Sequence, residues 1–125
     1  MRWMAVMVSH ALDQGVLVVT VHDDPGSDGR AVLLARISDL LEGHAPTSLV
    51  LVLDGPAASG TAVGVVLRVH RLCSRLGLVM SVATHSAPVR RLLEADADIG
   101  GIRLVVLARA DTAIQLTAAA LTAAA

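Results

Sequence analysis

The sequence predicts an α/β domain on a mixed, mostly parallel sheet of about five strands with about four helices, because short β-branched runs alternate with longer stretches of helical period. Two further observations support this class. Residues 48–53, Ser-Leu-Val-Leu-Val-Leu, are apolar without alternation, as in a central strand covered on both faces. The first two apolar runs, 3–8 and 16–21, are joined by a loop, 9–15, short enough for an antiparallel pair.

After this pair, Asp-Asp-Pro-Gly-Ser-Asp-Gly at 23–29 reads as a turn. A first helix is expected over 30–42, where Leu33, Ile37, Leu40 and Leu41 fall on one face, Arg36, Asp39 and Glu42 on the other, and Gly43 supplies the stop. A second helix over 59–76 carries Val65, Val66, Val69, Leu72, Cys73 and Leu76 inward and ends at Gly77. The next strand is expected at 78–83. Ser86 is placed to cap a third helix with Pro88 in its first turn and Val89, Leu92 and Leu93 buried. A short last strand at 104–107 precedes a final helix capped by Asp111, in which Ile114 and Leu121 recur one heptad apart and residues 117–125 fray. Neither a repeat nor a linker divides the sequence, so residues 1–125 read as a single domain.

Composition excludes whole classes of function. The chain of 125 residues is 54% hydrophobic with a formal net charge of -1, which suits one globular core and not a wrapper of nucleic acid. Trp3 is the only aromatic residue, so no base-stacking platform is available. All 10 basic residues are Arg, which removes Schiff-base and P-loop lysine chemistry. A single Cys rules out an internal disulfide and suits a reducing cytoplasm. The apolar runs are far shorter than a membrane span, and no signal-peptide core stands at the start, so a soluble, cytoplasmic protein is expected.

The order and spacing of these elements resemble the STAS domain, the fold of anti-sigma factor antagonists and of the cytoplasmic domain of sulfate transporters. Three stretches carry the resemblance. Residues 48–54, Ser-Leu-Val-Leu-Val-Leu-Asp, look like the family's central strand ending in aspartate. Residues 59–67, Ser-Gly-Thr-Ala-Val-Gly-Val-Val-Leu, are similar to the helix opening that follows the phosphorylated serine. Residues 88–94, Pro-Val-Arg-Arg-Leu-Leu-Glu, look like the third helix. The resemblance runs from the opening strand pair to residue 116. It breaks at the acceptor motif, Asp-Ser-Ser-Gly in members switched by phosphorylation. Matching Ser59-Gly60 to its end puts Ala57 and Ala58 at the aspartate and acceptor, whereas the shifted match puts Gly60 at the acceptor and Thr61 after it. The loop is also shorter than the family's.

The resemblance implies a cytoplasmic, non-enzymatic regulator of transcription without cofactors. It would bind an anti-sigma factor of the serine-kinase type and free a sigma factor by competition. Its phosphorylation site would be degenerate, with Ser59 and Thr61 the remaining candidate hydroxyls. The expected contact surface comprises Asp54, Ala58, Ser59, Gly60 and Thr61, edged by Asp24 and Asp28. Arg68, Arg71 and Arg75 form a stripe at i, i+3 and i+7 that either meets an acidic partner or faces water. Two alternatives stay open: an unmodified structural or sensory STAS-like subunit acting through self-association, and a degenerate receiver holding Mg²⁺ on Asp23, Asp24 and Asp54. A receiver needs a lysine on its last strand and a further strand and helix between those carboxylates, and the sequence has neither. The five His residues show no zinc-like spacing, and Cys73 falls on an apolar helix face, so no metal site and no catalytic residue is expected.

Overall fold

Gln14 and Gly15 take positive φ values of 54° and 80°, the pair of left-handed conformations a two-residue type I′ turn requires. They close a hairpin between β1 (Val8–Asp13) and β2 (Val16–Val21), paired antiparallel from Val8↔Val21 to Asp13↔Val16. The computed structural model describes residues 8–95 and 105–107. The antiparallel pair is as expected, but the strand occupies what the sequence marks as loop 9–15. The reason is position: β1 is an edge strand, exposed from Ser9 to Asp13, so it lacks the apolar alternation that burial imposes. Of the expected strand 3–8, only Val8 lies among the described residues.

Helix α1 (Gly26–His44) starts four residues before the expected helix and runs past Gly43. The turn-like composition of 23–29 hides a helix start, because Pro25, already in helical conformation with φ -64° and ψ -26°, offers its carbonyl to the Gly29 N–H at 3.0 Å. Ala45, with φ 44°, is the left-handed residue that ends the helix, its N–H donating to the Leu41 carbonyl. Strand β3 (Ser48–Leu53) has the bounds expected and is buried almost throughout.

A 3₁₀ turn (Gly55–Ala57) leads to α2 (Gly60–Leu76), capped by Ser59 and ended at Gly77, whose φ of 74° allows Leu78 N–H to reach the Cys73 carbonyl. Then come β4 (Val79–Thr84), α3 (Ala87–Ala95) and β5 (Val105–Leu107). The Ser86 hydroxyl accepts from Val89 N–H at 3.3 Å, the cap the sequence predicts. Two expected core residues face water: Leu76 is 55% exposed on the last residue of α2, and Leu92 is 52% exposed because Val89 and Leu93 fill the inward stripe of α3. Residues 3–7, Leu104 and the expected helix from Asp111 lie outside the described residues.

The sheet order is β1-β2-β3-β4-β5, with β2 to β5 mutually parallel. Right-handed crossovers that always step in the same direction put their helices on one face. Rows of paired residues, Leu17–Leu49–Met80 and Val19–Leu51–Val82, face that side and pack with Leu33 and Ile37 of α1, Val66 and Val69 of α2, and Leu93 of α3. The receiver alternative fails here, since the flavodoxin-like fold of receivers has the order 2-1-3-4-5 and this sheet does not.

Candidate functional site

Two parallel strands in register deliver their next residues side by side. Val21 pairs with Leu53, so His22 and Asp54, the residues that follow, emerge together at the carboxyl end of the sheet. The two loops leaving that end, 22–25 and 54–59, then lead into α1 and α2. Open α/β sheets bind ligands at strand carboxyl ends where the strand order reverses; this order has no reversal, so the site rests on its side chains and not on the topology.

Polar groups here bond mainly to one another. His22 Nδ1 lies 2.7 Å from Asp54 Oδ2 and its Nε2 lies 2.8 Å from Ser9 Oγ, so one imidazole links the ends of β1, β2 and β3. Side-chain exposures of 37% for His22 and 45% for Asp54 leave this contact open to water and of small energetic weight. The Asp54 N–H donates to the Val21 carbonyl at 3.1 Å, holding the loop to β2.

Beside this chain, Ser59 serves twice. Its hydroxyl accepts from Ala62 N–H at 3.2 Å as the cap of α2 and donates to Asp24 Oδ1 at 2.9 Å. The same Asp24 oxygen accepts from Gly26 N–H at 3.0 Å, so one carboxylate joins the two loops. The site is therefore a hydroxyl held at a helix N-terminus against a carboxylate, where the dipole favours negative charge but Asp24 already supplies it.

Of the sequence-predicted site residues, Asp24, Asp54 and Ser59 are brought together, with Ala58, Gly60 and Thr61 on the adjoining turn of chain. Gly60 is exposed, and nothing lies within 4 Å of where a Cβ would stand. Asp28 lies in the first turn of α1, exposed. Arg68 and Arg71 stand apart: they begin more than two turns into α2, roughly 12 Å along its axis from Gly60. They line a groove between α1 and α2. Sequence reasoning missed Ser9 and His22, whose only signal is that His22 follows β2 as Asp54 follows β3. Asp23, Asp24 and Asp54 form no metal-binding group, and no cluster of three or more His, Cys, Asp or Glu that could hold a metal occurs among the described residues. Burial pushes the Cys73 thiol up to about 12, so it stays protonated and unreactive at neutral pH.

Comparison with known proteins places the fold. No family model and no curated protein matches the sequence. Among solved structures, the chain superposes on a Thermotoga maritima protein provisionally described as an anti-sigma factor antagonist, with a TM-score of 0.64 over 88% of this chain and 93% of that one, at 13% identity. At that identity the likeness is one of fold: the chain has the α/β architecture of that protein, the STAS fold its sequence resembles. No helix among the described residues is long and apolar enough to cross a membrane.

Proposed function

We propose that the chain is a cytoplasmic, non-enzymatic STAS-type regulator that binds an anti-sigma factor of the serine-kinase type and releases a sigma factor by competition. The recognition surface is the loop from Asp54 to Thr61 with Asp24 and Asp28 at its edge. The observation that carries this reading is the Ser59 hydroxyl, presented at the start of α2 in a fold shared with an anti-sigma factor antagonist and locked to Asp24 at 2.9 Å.

The same lock argues against switching by phosphorylation. A phosphoryl group on Ser59 would bring nearly two negative charges against the Asp24 carboxylate and remove the donor that joins the loops. Ala57 and Ala58 offer no replacement hydroxyl, and in-line transfer tolerates little displacement of the acceptor. The protein is thus a constitutive binder, or one switched by other means.

Gly60→Arg tests the surface. The exposed site has room for the side chain, and the cation sits at the positive end of α2 in the middle of the proposed contact. Capture of an anti-sigma partner should be lost while the circular-dichroism spectrum is retained; unchanged affinity removes the loop from the interface. Incubation with the partner kinase and ATP should leave the intact mass unchanged. Stoichiometric phosphate that vanishes in Ser59→Ala or Thr61→Ala would make that residue the acceptor and overturn the constitutive mode.

A further inference from the structure

On the solvent side of the helical layer, α1 and α2 enclose a groove whose walls carry Arg30 from α1 and Arg68, Arg71 and Arg75 from α2, over an apolar floor that includes Leu34 and Leu72. Its two halves share Leu34, Ser38 and Arg68 and so adjoin along the same helix pair. All four arginines are exposed, and among the described residues none of them lies within ion-pairing distance of a carboxylate. Asp39 and Glu42, the acids in the second half of α1, do not line it. The chain as a whole is slightly acidic, which makes this a local concentration of cations and not a basic protein's average surface.

Gly64 adds an independent observation. It lies inside α2, exposed on the groove wall, and among the described residues nothing stands within 4 Å of where its Cβ would be. A glycine inside a helix costs about 0.5–1 kcal/mol relative to alanine, and no packing among the described residues requires one here. It leaves a notch in which another backbone can approach closely.

We propose that this groove docks an acidic amphipathic helix of a partner protein. Arg68 to Arg75 spans about 10 Å, two helical turns, which matches carboxylates at i, i+3 or i+4, and i+7 on a facing helix. Guanidinium forks pair carboxylates bidentately, the apolar floor receives the flanking leucines, and the notch at Gly64 lets the helix sit low. A purely anionic ligand would leave the Leu34 and Leu72 floor unused. The inference goes beyond the loop surface and does not depend on it, because the groove draws on different residues.

A synthetic amphipathic helix bearing Glu on one face and Leu along its flank, and a twin with every Glu replaced by Gln, are titrated by calorimetry against the full chain at low and at physiological salt. The Glu peptide should bind, more weakly as salt rises, and the Gln twin at least about tenfold more weakly. Arg68→Gln with Arg71→Gln, and separately Gly64→Gln, which fills the notch without changing charge, should each lower affinity about tenfold while circular dichroism stays native. Arg75→Ala alone should lower it severalfold. Gly60→Arg should leave peptide affinity unchanged, so the loop surface and the groove stand or fall separately. Absence of peptide binding, equal binding of the twin, insensitivity to the groove variants, or binding of phosphatidylserine vesicles in place of the peptide would each overturn the proposal.

Discussion

The sheet-end loops and the α1–α2 groove treat polar groups in opposite ways. At the loops, Ser9, His22 and Asp54 form one bonded chain and Asp24, Gly26 and Ser59 another, so local structure accounts for these side chains by what they hold together. In the groove, among the described residues, four guanidinium groups stand without a carboxylate partner beside a helical glycine with open space where a Cβ would be. A group that the fold itself uses leaves a stability signature when removed. A group that only a partner uses leaves none, and that difference is measurable without knowing either partner.

Both regions stand on one core, and the largest expected effect is there. Ile37→Ala empties a fully buried position of α1 and should destabilise by about 2–5 kcal/mol in chemical denaturation, weakening loop and groove functions together. A loss under about 1 kcal/mol would mean that α1 is not seated as described. The next effect is in alkali. Cys73 ordinarily titrates near 9.0 but is held neutral to about 12 by burial in α2. The fold therefore keeps the proton that the unfolded chain releases, and this contribution is complete below about pH 9 and is lost as pH rises toward about 12. With neither Lys nor Tyr in the chain, few other groups titrate in that window. The urea midpoint should fall across it, and Cys73→Val should flatten the fall; an unchanged slope would assign it to something else.

Within the contrast itself, Ser59→Ala removes a helix cap and the tie to Asp24 and should destabilise by about 1–2 kcal/mol. Gly64→Ala should do the reverse, raising stability by about 0.5–1 kcal/mol. The smallest change belongs to Arg71→Gln, which should move stability by less than about 0.5 kcal/mol in either direction. Equal losses in Ser59→Ala and Arg71→Gln would erase the distinction between the two regions, because the groove arginines would then be structural.

What could be read in the sequence follows from the range of the physics involved. Helical and strand periods are local, so β2, β3, α2 and the Ser86 cap of α3 stand where 48–53, 59–76 and their flanking residues predict. The stripe of Arg68, Arg71 and Arg75 is likewise a property of one helix. Elements that bury little leave a weak pattern, which is why exposed β1 reads as loop, and why the first turn of α1, rich in Pro and Gly, reads as a turn. Leu76 and Leu92 fit an apolar face but remain half exposed where they emerge.

The site belongs to the tertiary structure. His22 and Asp54 are 32 residues apart and Asp24 and Ser59 are 35 apart, and only the parallel register of β2 on β3 brings each pair within hydrogen-bonding distance. The groove is decided the same way, since Arg30 joins the α2 arginines only when successive right-handed crossovers lay α1 beside α2. Sequence by itself determined which residue types each element would carry, because propensity and amphipathic period act over a few residues. Which of those residues would meet was settled by strand register and crossover hand, which depend on the packing of the whole chain.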